Sequence, residues 1–498
     1  MAPRGFDPKA IAGKHPAPDR HTDVLVIGAG PAGIAAALAA ATAGEQVLLI
    51  DENPVAAGLM GLDTPLYYGG RYTSAVQTKA RMLEQVFAAK PDLEAAIEAG
   101  VEVELGVYCW GAWVPGQGLA ALPSPVAGLA DDEKSWMVGF KRIIVATGAR
   151  DVAFAFPGWD QPGVMGARAL HALTQAYDAF AGRRLVILGS GDLALEACLA
   201  AIDKGLDVVA LIEIEETALG SADLIAAVAR AGILVLTNYV PVRADGGLDG
   251  VERLTVRHRA DGAKQTFDCD TVVQAIAVTP VIELLDVLGA ARAMQPALGG
   301  HAPVSPDGAA TSLPQVSLAG DVAGVKLRPR DSVAYQQAWM RALIAAADAD
   351  VIVCQCEEVT RDALLHVRQP TYLGPPSPGM TRRPLASLLE DGPVNQDQIK
   401  RLTRACMGAC QARRCREQVA LTLACASNQS AADIPLAGYR APVRPLPLCV
   451  LAADNETPEM AGHWDVWFGI AGQWVPYADV GTEREALHKD MFGGDMHL

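Results

Sequence analysis

A chain of 498 residues is too long for one ordinary core and implies two or three domains of roughly 100–200 residues. Its 51% apolar and 20% charged residues exclude a disordered polymer, and a net charge of −16 argues against a nucleic-acid partner, whose phosphates it would repel. No apolar run reaches the roughly 18 residues that span a bilayer, and the first residues lack the basic-then-apolar layout of a secretory signal. The protein is therefore expected in the cytoplasm, free or peripheral to the inner face of the membrane.

From Asp23 to Ile50 the expected order is strand, glycine turn, helix, strand. The turn, Gly28-Ala29-Gly30-Pro31-Ala32-Gly33, fits a dinucleotide loop. The first glycine makes the turn, the second admits a pyrophosphate, and the third lets helix and strand touch. Asp51 follows the second strand, where a carboxylate can accept from ribose hydroxyls, and Glu52 can share that role. Thr147-Gly148, after the strand Arg142–Val145, and Gly320-Asp321, after Val316–Ala319, are expected to return to the same sheet, with Asp321 near a flavin's ribityl or phosphate oxygens.

A second strand–turn–helix–strand unit runs from about 183 to 213. Its loop, Gly189-Ser190-Gly191-Asp192-Leu193-Ala194, is the GxGxxA variant, and Glu213 stands where a ribose-binding acid would. Glycines there can also be kept for turn geometry alone, so NAD(P) binding stays open. No CxxC occurs in either nucleotide region, which leaves thiol–disulfide reduction unsupported. In order, these elements resemble the glutathione-reductase-like flavoproteins.

Five of the ten cysteines crowd between Cys354 and Cys415; Cys109, Cys198, Cys269, Cys425 and Cys449 read as small core residues. Cys354 and Cys356 precede a helix that Thr360 can cap, and Cys410 and Cys415 follow a helix that Asn395 can cap. Four thiolates suit a [2Fe–2S] cluster, with Lys400, Arg401, Arg404, Arg413, Arg414 and Arg416 nearby to offset charge. Zinc is an alternative, although CxC with CxxxxC is not its usual spacing, and a solvated basic helix with incidental cysteines is another. Cys406 reads as a spare thiol.

Cys354-Gln355-Cys356-Glu357-Glu358-Val359-Thr360, the run Lys400–Cys415, and Arg440-Ala441-Pro442-Val443-Arg444-Pro445 are similar to one group of enzymes. It comprises the alpha subunits of opine oxidase, dye-linked L-proline and hydroxyproline dehydrogenase and hydrogen cyanide synthase, and is related to heterotetrameric sarcosine oxidase alpha. The resemblance implies an α/β fold with two Rossmann-like domains and a small helical BFD-like [2Fe–2S] domain. It implies an FAD-type domain over 1–154 and 291–350, an inserted NAD-like domain over 155–290 and the cluster domain over 351–430. The remaining C-terminal extension, 431–498, carries Trp464, Trp467 and Trp474, aromatics that suit a subunit interface; the part after about 452 is outside the resemblance.

In such enzymes a beta subunit with its own FAD holds the amine substrate. Electrons pass through interface flavin, in several members FMN, toward the alpha chain and a one-electron acceptor or respiratory chain; a small gamma subunit can be present. The first domain is expected to hold FAD or another adenine nucleotide, ATP or NAD. Three departures stand out: Cys406 replaces a glycine, about 20 extra residues lie around 369–390, and Ala57-Gly58-Leu59 replaces Gly-Gly-Gln, with Gly58 kept as a binding candidate. A self-contained NAD(P)H-dependent flavin/iron–sulfur reductase and a non-catalytic scaffold are the competing readings.

Overall fold

The computed structural model describes residues 17–55, 60, 66–116, 122–346, 350–374, 383–452 and 483–484. Gly58 with its neighbours Ala57 and Leu59, residues 375–382 between the cysteine pairs, and Trp464, Trp467 and Trp474 lie outside them.

The Val24–Ile27 run is apolar throughout because its strand is covered on both faces. In β1 (Arg20–Ile27), Val24, Leu25 and Val26 are fully buried. β1 pairs in parallel with β2 (Val47–Asp51), and α1 (Pro31–Thr42) crosses between them. Gly33, Ile34, Ala37 and Ala40 are the buried positions of α1, and the small Gly33, Ala37 and Ala40 bring the helix close to the sheet. The helices α2 (Lys79–Ala89) and α3 (Asp92–Glu98) follow, then β3 (Glu102–Leu105), β4 (Tyr108–Trp113), β5 (Val126–Ala130) and β6 (Ser135–Val145). The sheet order is β3-β2-β1-β6-β5-β4.

The chain leaves through β7 (Ala149–Asp151) into a second parallel sheet. There β8 (Val164–Gly166) leads into α4 (Ala167–His171), and β9 (Arg184–Leu188), α5 (Asp192–Asp203) and β10 (Asp207–Ile212) repeat the nucleotide-fold unit. Then come α6 (Ala222–Arg230), β11 (Val235–Leu236), an antiparallel sheet of β12 (Tyr239–Gly247), β13 (Gly250–His258) and β14 (Lys264–Asp268), and β15 (Thr271–Gln274). The second sheet runs β11-β10-β9-β15-β8.

The return strand β16 (Val278–Pro280) pairs antiparallel with β7. α7 (Glu283–Leu288) then places Leu284, Leu285 and Leu288 in the first sheet's core beside Leu25 and Leu48, so the crossing back comes before residue 290. After the hairpin β17 (Arg292–Gln295) and β18 (Gly300–Pro303), β19 (Val316–Leu318) joins β6 in parallel.

α8 (Ser332–Ala346) leads into the cysteine-bearing region: β20 (Ile352–Cys354), β21 (Val359–Thr360), α9 (Arg361–Leu365), α10 (Leu385–Leu388), α11 (Gln396–Thr403) and α12 (Arg416–Ala426). Both expected caps form: Thr360 Oγ1 accepts from the Ala363 amide, and Asn395 Oδ1 from those of Asp397 and Gln398. Val419 and Leu423 of α12 share one apolar cluster with Trp339 of α8 and Val186 of the second sheet, so this region is not a tethered appendage. Residues 1–131 and 136–445 form one compact unit. The other comprises 132–135 and 446–498, whose described part includes α13 (Leu448–Ala452). Among the described residues no helix is long and apolar enough to cross a membrane.

Candidate functional site

A cavity of about 600 Å³ opens where the first glycine loop meets the ends of β2, β6 and β19. Gly28, Gly30, Pro31, Ala32, Asp51, Glu52, Thr147, Gly148, Gly320 and Asp321 all line it. The loop's three glycines have different reasons. Gly28 has φ +109°, and a Cβ on Gly33 would lie 1.8 Å from the Gly28 carbonyl oxygen. A Cβ on Gly30 would meet no protein atom within 4 Å. No described residue therefore requires Gly30 to be glycine. The open space fronts the N-terminus of α1, where an anionic phosphate is favoured.

The acids expected to bind ribose are already engaged. Asp51 is buried and braces the loop: Oδ2 accepts from the Ala29 amide at 2.5 Å, and Oδ1 from the backbone and side-chain nitrogens of Asn53 at 2.8 and 2.9 Å. Glu52 pairs with Arg444 at 2.9 Å. Asp321 pairs with Arg168, and Thr147 Oγ1 donates to the Val281 carbonyl at 2.8 Å. Four cations that sequence did not place at this cavity, Lys90, Arg168, Arg413 and Arg444, are among the described residues on its wall. Arg168 and Arg413 arrive from outside the first sheet; Arg413 was expected at the cysteines and not at this wall, and Arg444 carried a signal as part of the Arg440–Pro445 segment.

Arg168, His171, Gly320 and Asp321 also line a second cavity of about 1030 Å³ between α4, α5 and the 295–327 segment. Burial and the nearby Arg168 charge lower the His171 pKa. α4 itself is held by Asp151, which accepts from the Arg168 and Ala169 amides at 2.9 and 3.2 Å; burial nevertheless pushes this carboxyl up to about 6.

The second loop is filled by the chain itself. Gly189 keeps its turn at φ +109°, and Ala194 is buried in α5. In front of Gly191 lies the Arg328 carbonyl, 2.4 Å from where a Cβ would be, and it accepts from the Asp192 amide at 3.1 Å. Asp192 Oδ2 accepts in turn from the Arg328 amide at 3.0 Å. Glu213 is fully buried, accepting from Ser190 and Tyr335 hydroxyls at 2.6 Å each, and burial raises its pKa. The loop amide and the acid that would hold a second nucleotide both serve internal contacts.

The four cysteines converge. Cys356 and Cys410 sulfurs are 3.6 Å apart, as are those of Cys354 and Cys415. Cys354 and Cys356, and Cys410 and Cys415, also perturb each other's ionisation, so the four sulfurs form one ring of interacting thiols. Hydrogen bonds from neighbouring thiols hold Cys354 down to about 4 and keep Cys410 below the ordinary thiol range, while the donors Cys356 and Cys415 are pushed up. Among the described residues no group of three or more His, Cys, Asp or Glu side chains forms a site for a single metal ion. A two-iron cluster asks for two thiolates per tetrahedral iron, which metal–sulfur bonds of about 2.3 Å would space about 3.8 Å apart. The sulfur spacing fits that donor set.

Only Cys415 sits at a helix N-terminus, as the N-cap of α12; Cys354 ends β20, Cys356 lies in the following turn, and Cys410 is in the loop before α12. The surrounding cations differ: on α11 Arg401 is exposed and Lys400 half-buried, whereas those of the 404–416 stretch make internal contacts. Arg416 is fully buried, and Arg413 is 2% exposed with Nε donating to the Cys410 carbonyl at 3.2 Å. Arg404 pairs with Glu357 at 2.5 Å, and Arg414 lies over the Tyr67 ring at 4.6 Å. Gly408 leaves room for the cluster of thiols, since a Cβ there would lie 2.5 Å from Cys356 Sγ. Of the other cysteines, Cys109, Cys198 and Cys269 are buried and Cys425 partly so; Cys449 is exposed, against expectation.

Two connections join the thiols to the nucleotide cavity. Arg413, three residues beyond Cys410, lines it. Glu283 also lines it and pairs with the buried Arg150, which bonds Glu417 of α12 at 2.7 Å.

Residues 22–349 match the family of pyridine nucleotide-disulphide oxidoreductases, to which this chain belongs. Within that family its likeness extends past the matched span. It is 25% identical over 470 residues to an opine oxidase subunit of Agrobacterium tumefaciens (strain Ach5), covering 86% of this chain and 91% of that protein. It is 30% identical over 272 residues to the alpha subunit of sarcosine oxidase from Corynebacterium sp. (strain P-1), a match that spans 53% of this chain and 27% of that protein. The L-proline dehydrogenase structure from P. horikoshii shares the fold at 20% identity with a TM-score of 0.53, over 88% of this chain and 81% of that one. The chain is an oxidoreductase whose sequence is similar to subunits of opine and sarcosine oxidases.

Proposed function

We propose that this chain is the electron-relay subunit of a heteromeric dehydrogenase or oxidase acting on the CH–NH group of an amino acid, imino acid or opine-like amine. The carrying observation is the ring of four thiols lying one residue, Arg413, away from a pre-formed nucleotide cavity. FAD, or another adenine nucleotide, is assigned to that cavity, its pyrophosphate at the amides of the Gly28–Gly33 loop and within reach of Lys90 and Arg444. Cys354, Cys356, Cys410 and Cys415 would hold a [2Fe–2S] cluster, which accepts electrons singly where a flavin gives up two. Arg413 would offset negative charge on both sides, and Arg150 would keep Glu283 and Glu417 paired in the wall between them. The oxidoreductase relatives at 25–30% identity support the class.

The substrate site is assigned to a partner beta subunit with its own FAD; interface FMN and a small gamma subunit complete the proposed assembly. The filled second loop favours this relay over a self-contained NAD(P)H reductase, because the reductase needs Gly191 and Glu213 free. Gentle purification from the native source tests the reading. A stoichiometric flavoprotein partner of roughly the size of a two-domain chain is expected, and amine-dependent reduction should need both subunits. A lone chain that oxidises the amine by itself contradicts it.

A further inference from the structure

Cys406 is a fifth thiol inside the cysteine site. It is 2% exposed, and its sulfur lies 3.6 Å from Cys415 Sγ, the same separation that joins Cys415 to Cys354. On its other side Gln396 Nε2 approaches the sulfur at 3.8 Å. The backbone at Cys406 is left-handed, φ +71°, in a loop that also holds Arg404, Gln411 and Ala412 at positive φ. This conformation is one that glycine adopts without strain and other residues adopt at a cost. A thiol is thus kept, against backbone preference, in van der Waals contact with one cysteine of the ring.

We propose that Cys406 is a reserve ligand that can take the coordination position of Cys415. The inference rests on the reading that the four ring cysteines hold a [2Fe–2S] cluster. The exchange balances internally. The iron–sulfur bond to Cys415 breaks and one to Cys406 forms, and the proton of the Cys406 thiol passes to the Cys415 sulfur across their contact. No oxidant or reductant is consumed. The sulfur of Cys406 meets the ring at Cys415, so the substitution is specific to that position.

Alanine variants of the full-length chain, read by iron content, visible absorption and EPR of the dithionite-reduced protein, test this. Cys415→Ala is expected to keep most of its iron with a shifted EPR signal. Cys410→Ala and the double variant Cys406→Ala/Cys415→Ala should lose both iron and signal. If the parent binds iron but Cys415→Ala loses it as completely as Cys410→Ala, the reserve-ligand proposal is wrong. If the parent itself lacks iron, the cluster reading fails instead. Should Cys415→Ala not fold, chelator-driven iron release decides: Cys406→Ala is expected to lose iron several-fold faster than the parent, because no second thiol recaptures an opened position. Equal rates overturn the proposal.

Discussion

Gly30 and Gly33 sit three residues apart in one loop, yet substitution should separate ligand binding from folding. An added methyl at Gly30 occupies only the space in front of α1, so Gly30→Ala should fold with its melting temperature little changed. Its affinity for FAD or ADP should fall at least about tenfold, a loss of about 1.4 kcal/mol. The same methyl at Gly33 collides with the Gly28 carbonyl, so Gly33→Ala should fail to accumulate as folded protein. Fluorescence titration and thermal melting read both outcomes; equal affinity of Gly30→Ala and parent would remove the pyrophosphate from this position. At this scale the sequence was most informative where chemistry is local. The glycines, the four cysteines and the caps Thr360 and Asn395 were legible because turn geometry, ligand type and helix ends depend on near neighbours. The engagement of Asp51 with Ala29 and Asn53, and of Glu52 with Arg444, was not, because an acid after a strand looks the same whether it faces ligand or protein.

Among elements, α4 brings Arg168 and His171 to both cavities and is held at its start by Asp151. Burial raises this carboxyl from 3.8 to about 6, so the fold binds its proton more tightly than the unfolded chain does. Its contribution to stability is fully present below about pH 4 and is lost as pH rises through about 6. Asp151→Asn should abolish that loss. The difference in unfolding free energy from urea titrations should grow in the variant's favour from pH 4 to pH 7, by an upper bound on the order of 3 kcal/mol. A pH-independent difference would exclude the effect. The second loop shows what sequence could not reveal at this scale. Gly189, Gly191 and Glu213 keep the pattern of a nucleotide site, while the 325–332 segment, more than a hundred residues later, fills it through Arg328. Adding NADH to the isolated chain under anaerobic conditions should therefore leave the flavin absorbance unbleached in stopped flow. Rapid bleaching would show that the Arg328 segment yields to ligand and would revive the reductase reading.

Across the whole unit, two nucleotide folds and the cysteine region share contacts that no single motif announces. The order of folds was readable because each strand–turn–helix repeat advertises itself. The closeness of the thiols to the first cavity was not, since it depends on Arg413 and on the Arg150–Glu283–Glu417 chain crossing between segments distant in sequence. This juxtaposition is what makes a relay physically reasonable. Its most direct test is metal and flavin analysis of the chain purified without oxygen, with EPR after dithionite reduction. The relay account predicts about two irons per chain, a bound flavin or adenine nucleotide, and a single spin-one-half signal that disappears in Cys410→Ser. A chain that carries zinc, or that binds neither iron nor nucleotide, would contradict it.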